Sequence, residues 1–170
     1  MNTGSTLILA LLAVIIMCVA VSAASKRPGA AWNYYHFDGH GFVAGLPAGD
    51  SPFLAVRDRA VPLVLTRAVR AEAVELPANR GALAGICYIQ NSGGKLDNGQ
   101  GYLPCPRTPI TISSGNTVVT NVLSDANGYF VALLAAGSYM IGSGAFAAEA
   151  TVENGTTVLV PLRAGKRMVD

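Results

Sequence analysis

Charge is scarce in this chain. Only 13% of its 170 residues are charged, with twelve Lys and Arg against ten Asp and Glu, for a net charge of +2. The basic residues are scattered, and no basic run exceeds Lys26-Arg27 or Lys166-Arg167. The dense basic stripe of a nucleic-acid surface is therefore missing. Histidine is rarer still: His36 and His40 are the only two. No GxSxG elbow is present, and a hydrolase triad would have to draw its base from that one short segment. The three cysteines, Cys18, Cys87 and Cys105, form no CxxC redox motif. Solenoid and propeller arrays need several repeats, for which the chain has no room. Catalytic and cofactor-binding residues are accordingly assigned to no position, and the expectation is a protein that is not an enzyme.

What the chain does have is an uncharged apolar run, residues 7–24, ending in Val21-Ser22-Ala23 before Ala24. Small residues at that spacing form a secretory cleavage pattern, so export is expected. The leader MNTGST carries no Lys or Arg, while Lys26 and Arg27 lie beyond the run. The run is at the lower limit for a membrane span, so a retained anchor is the competing reading, with Lys26 and Arg27 on the cytoplasmic side. Ile15-Ile16-Met17-Cys18 resembles a lipoprotein box, but Met17 replaces its small residue. Gly4 before an apolar segment resembles type IV pilins, but Leu9 stands where they carry glutamate. Residues 1–24 are thus a signal peptide or membrane anchor, and membrane contact is expected only through residues 7–24.

Cleavage would leave about 147 residues, enough for one domain with its own core. It would also leave two cysteines in an oxidising compartment, which makes a Cys87–Cys105 disulfide the default. The loop between them, through NSGGKLDNGQGYLP, is loose, and closing it is worth about 3 kcal/mol in the chain-entropy model. Two buried thiols are the alternative, with a metal pair behind it.

Residues 25–52 read as an irregular arm rich in Gly, Pro and aromatics, to lie over an exposed sheet or be ordered by a partner. Residues 53–80 are a strand-containing lead-in. Within it, helix competes with strand over residues 66–76, because Ala, Arg and Glu favour helix. Over residues 81–165 strand signals recur every eight to twelve residues, the rhythm of an all-β sandwich. The expected strands are 83–90, 108–113, 117–123, 128–134, 138–143, 147–153 and 156–162, followed by a tail at 166–170. Asn154-Gly155 is a strong hairpin signal. The expected core is Leu83, Ile86, Ile110, Ile112, Val118, Phe130, Leu134, Tyr139, Ile141, Val152, Val158 and Val160. The fold class is all-β: a single antiparallel sandwich of about seven strands, preceded by the hydrophobic N-terminal helix and the arm.

The most informative stretch is SDANGYFVALLAAGSY at residues 124–139. Asp125, Asn127 and Gly128 supply turn chemistry, and Tyr129, Phe130 and Val131 start a strand at once. Asp125, Gly128, Phe130, Leu134, Gly137 and Tyr139, with the run from Gly85 to Ile89 and the closing strand from Val158 to Leu162, resemble the carboxypeptidase regulatory-like domains, also called prealbumin-like or Cna-B-like β-sandwiches. The resemblance covers about half the chain and implies the fold. Such modules serve as spacers, adhesin stalks and domain partners, so it implies adhesion, scaffolding or assembly at the cell surface without choosing among them. Hydroxyisourate hydrolases of this fold end in a YRGS-like tail, whereas this chain ends in GKRMVD. The isopeptide bond of some Cna-B-like relatives is not expected, since Lys26, Lys95 and Lys166 occupy no buried strand position.

His36, Asp38 and His40 in YYHFDGHG are the one suggestive metal constellation. A strand would bring all three to one face, but Gly39 and Gly41 argue for a loop. KLDNGQG lacks the further oxygen ligands of a calcium loop. Asn154-Gly155-Thr156 meets the N-glycosylation sequon, although the hairpin explains the same residues. FVAGLPAG at residues 42–49 echoes FVALLAAG at 130–137, as a partial relic or by chance. The expected partners are protein or further copies of the chain, engaged through an interaction arm of Trp32, Tyr34, Tyr35, Phe37 and Phe42. A second reading has these aromatics stack on carbohydrate, and a third makes the histidines a metal-assisted hydrolase site.

Overall fold

The computed structural model describes residues 31–92, 101–143 and 146–168. The apolar N-terminal run, Cys18, Lys26, Lys95 and the KLDN loop lie outside them. Every regular element described is a strand, so among the described residues no helix is long and apolar enough to cross a membrane.

The thirteen-residue strand β5, Arg80–Ser92, organises the molecule. Its residues 81–88, GALAGICY, are buried without interruption, as expected of a strand covered on both faces. On one side β5 pairs in parallel with β12 (Thr157–Met168). On the other it pairs antiparallel, first with β9 (Tyr129–Ala135) and then with β6 (Tyr102–Pro104). Gly85 sits where a Cβ would strike the Val160 carbonyl and the Phe130 ring. This middle sheet has two apolar faces because its side chains alternate.

One face meets a sheet of order β11-β10-β7-β8, built from β7 (Pro109–Ser114), β8 (Thr117–Leu123), β10 (Gly137–Ser143) and β11 (Phe146–Val152). Leu83, Phe130, Leu134, Val160 and Leu162 pack there against Ile110, Ile112, Tyr139, Ile141 and Val152. Removing each such Leu or Ile side chain from water is worth about 1.5–3 kcal/mol.

The other face meets a sheet of order β2-β1-β3-β4: β1 (Asn33–Phe37), β2 (Phe42–Ala44), β3 (Phe53–Val56) and β4 (Leu63–Leu65). Ala84, Ile86, Tyr88 and Tyr129 pack there with Phe37 and Leu54. Three β layers thus enclose two cores.

Several expectations change. Residues 25–52 are not irregular throughout: the Asp38-to-Gly41 stretch turns a β hairpin whose flanking aromatics are strand formers. The sheets are not purely antiparallel. Asn154-Gly155 does turn the chain, but β12 crosses to lie beside β5, so β11 and β12 share no ladder. Both faces of β12 carry apolar residues, Val160 and Leu162 toward one core and Leu159 toward the other. Residues 66–74 are neither helix nor strand, and one bridge, Ala60 to Glu75, holds the segment's far end. Val118 leaves the core and is 57% exposed, because a bulge opposite Ser113 re-aims it. Ile86 is buried in the core on the opposite face from Leu83.

Candidate functional site

The His36, Asp38 and His40 side chains do not converge. Asp38 closes the β1–β2 turn: its Oδ1 accepts from the His40 amide at 2.8 Å and the Gly41 amide at 2.9 Å. Those two amides, Gly41 first, hold its carboxyl below the ordinary aspartate range. The His36 Nδ1 lies 3.1 Å from the Gly45 carbonyl oxygen. Among the described residues no group of three or more His, Cys, Asp and Glu side chains is placed to hold a metal ion. The spacing that would align three side chains on a strand is here bent around a turn.

The aromatics of the arm mostly face inward. Phe37 is 5% exposed, with ring centroids 4.6 Å from Tyr88, 4.8 Å from Tyr102 and 5.8 Å from Phe42. Tyr34 meets Phe53 edge-on at 5.6 Å. Tyr129 donates its hydroxyl to the Pro52 carbonyl at 3.0 Å, and burial raises its pKa. Trp32 and Tyr35 stay half-buried. Phe37, placed in the docking arm by the sequence, is a core residue here: alternation along β1 turns it onto the middle sheet.

The Asp125 turn has a comparable local logic. Asp125 Oδ1 accepts from the Asn127 amide at 2.8 Å and the Tyr129 amide at 2.9 Å. Gly128, at φ 81°, lies against the Cys87 carbonyl, and a Cβ there would come within 2.6 Å of that oxygen. Cys105 donates its amide to the same carbonyl at 2.9 Å. The Ser124 hydroxyl donates to the Cys105 carbonyl at 2.6 Å and accepts from the Thr108 amide at 2.9 Å. Cys87 and Cys105 are both buried in one core and opposed in continuation of the Tyr88–Pro104 register.

Two open clefts, of about 410 and 380 Å³, lie elsewhere and include neither histidine. The first lies against Met140 and Glu149 of β10 and β11, and the second between Arg59, Arg80 and Asn154. Neither therefore unites a nucleophile with an imidazole base.

The chemically distinctive surface is one flank. Among the described residues, strand β8, TVVTNVL, ends its sheet, and β9, YFVALLA, pairs only with β5. Both strands are seven residues long and contain no charge, proline or glycine. On β8, Val118, Val119 and Leu123 are 57%, 45% and 68% exposed. Strand β8 carries one guarding device, the bulge opposite Ser113, and the other edges carry different ones. Strands β2, β4 and β6 are three residues each, β11 carries Glu149, and β12 carries Pro161, Arg163 and Lys166. Sequence reasoning found these strands but not their edge positions, since strand order is a non-local property.

No family model matches the chain, and no curated protein matches it. A solved structure that is similar in part is the minor pilin GBS52 of Streptococcus agalactiae, 13% identical with a TM-score of 0.38. The likeness covers 76% of this chain and 66% of that one, just under two thirds of the pilin's length. A likeness of that degree decides neither fold nor function.

Proposed function

We propose that this chain is an exported, non-catalytic β module of the carboxypeptidase regulatory-like type, working in adhesion, scaffolding or assembly at the cell surface as a subunit of a filament or envelope structure. The observation that carries this reading is the uncharged flank of β8 and β9. Edge strands present unpaired backbone donors and acceptors, and an unguarded one is a template for another chain. Sedimentation velocity of the full chain across a concentration series tests it: assembly predicts a sedimentation coefficient that rises with concentration. A single monomeric species throughout would refute it.

The same proposal includes a Cys87–Cys105 disulfide in the exported protein. Opposed residues of an antiparallel ladder lie about 4.5–5.5 Å apart at Cα, inside the span of about 4.4–6.8 Å that a disulfide bridges. Oxidation of the two thiols passes two electrons and two protons to a thiol-oxidising partner in that compartment. A non-reduced intact mass lower by two hydrogens is the expected signature; equal masses with and without reductant would contradict it.

A further inference from the structure

We infer that residues 67–73 form a cleavage site for an arginine-directed endopeptidase, which cuts the folded chain between Arg70 and Ala71 and leaves a two-chain protein that stays assembled. Hydrolysis breaks the Arg70–Ala71 amide bond: the hydroxyl of a water molecule joins the Arg70 carbonyl carbon, and its proton goes to the Ala71 nitrogen. The cut requires neither assembly nor export of the chain.

An endopeptidase holds its substrate extended and bonds to the substrate's own backbone, so it cuts where that backbone is exposed and not already engaged. Residues 67–73 meet both conditions. Among the described residues none of them shares a backbone hydrogen bond and none belongs to a strand, and Thr66 to Arg70 are all exposed. Arg70 has Arg67, Ala68 and Val69 before it and Ala71, Glu72 and Ala73 after it, whereas Arg67 follows β4 with only Thr66 between. The other described basic residues offer no such bond. The Ala60 amide donates to the Arg57 carbonyl at 3.2 Å, the Leu76 amide to the Arg59 carbonyl at 2.9 Å and the Gly155 amide to the Arg80 carbonyl at 2.9 Å. Beyond Arg107, the Thr108 amide is bonded to Ser124 Oγ at 2.9 Å. Arg163, Lys166 and Arg167 are held in the ladder of β12 with β5.

Both flanks of the segment are tied down, so one cut does not open the fold. On one side Leu63–Leu65 pairs with β3. On the other, the Val61 amide donates to the Val74 carbonyl at 2.8 Å, and Ala60 bridges Glu75. The two pieces also share a core, in which Phe37 and Leu54 of the first pack with Ile86, Tyr88 and Tyr129 of the second. After the cut the first sheet covers the middle one without a covalent link, so the stability of the two-chain protein becomes dependent on its concentration.

Limited digestion of the folded full chain with trypsin, in one mild detergent throughout, tests the site, with new termini identified by mass and sequencing. Within the described residues the first cut should leave one piece ending at Arg70 and one beginning at Ala71. The two should elute together without denaturant and apart in it. Arg70→Gln, at an exposed position, should move the cut to Arg67 and slow it. Gly128→Ala, which weakens the whole fold, should leave the rate of the Arg70 cut unchanged, because the segment is open in the native state. A first cut after Arg57, Arg59, Arg80 or Arg107, or a rate at Arg70 that rises with Gly128→Ala, would overturn the assignment, since either means that the chain is cut only on unfolding. An Arg70→Gln chain cut after Arg67 as fast as the native chain is cut after Arg70 would overturn the choice of bond. Pieces that separate without denaturant would overturn the two-chain product.

Discussion

Gly128 shows most clearly how single residues hold this fold. Its left-handed φ is one that a side chain resists, and its missing Cβ leaves room for the Cys87 carbonyl. Gly128→Ala should destabilise the protein by about 3 kcal/mol, read as a fall in denaturation midpoint. Phe37→Ala should cost about 3–5 kcal/mol, whereas Trp32→Ala, at a half-buried position before β1, should cost much less. Equal losses in a denaturant series would contradict the placement of Phe37 inside and Trp32 at the margin. Asp38 gives a pH-dependent case. Its carboxyl is held below the ordinary value of 3.8 by the amides of Gly41 and His40. The ionised form therefore supports the hairpin above the unfolded carboxyl's pKa, and that support is lost as pH falls through the lower folded value. The His40 and Gly41 amide shifts should titrate together with a midpoint below 3.8; a midpoint at or above it would break the link. The Asp125 turn was legible in the sequence because its bonds span four residues or fewer. The role of Gly85 was not, because Val160 and Phe130, which crowd it, are distant in sequence.

At the level of elements, local pattern carried far. The strand expected over residues 117–123 has those bounds, and those expected near 108–113, 128–134, 138–143 and 147–153 differ by one residue at most at either end. Pairing was less legible. Nothing within TTVLVPLRAG says that β12 will lie parallel to β5 rather than antiparallel to β11, since the choice depends on which apolar faces remain to be covered. Short β6 escaped notice because YLP has too few residues to show alternation. The three-layer arrangement leads to a prediction about the first sheet. Deleting residues 33–65 would bare Ile86, Tyr88 and Tyr129, so the remainder should bind a hydrophobic dye and lose its sharp thermal transition. A remainder that melts as sharply as the whole chain and binds no dye would show that the middle sheet does not need this cover.

Among the described residues, Phe37, Tyr88, Tyr129, Phe130 and Tyr139 go to two internal cores, and the β8 edge ends its sheet. Among the described residues, the sequence's metal constellation bends around the β1–β2 turn, and residues of the arm form strands of a sheet. What remains for function is a surface property, strand order, that composition and spacing do not encode. The most direct measurement of the central claim is chemical cross-linking of intact native cells, followed by separation of envelope, medium and cytosol and detection of this chain. The account predicts a ladder of cross-linked multiples in the envelope or medium. Monomer alone, confined to the cytosol, would contradict it.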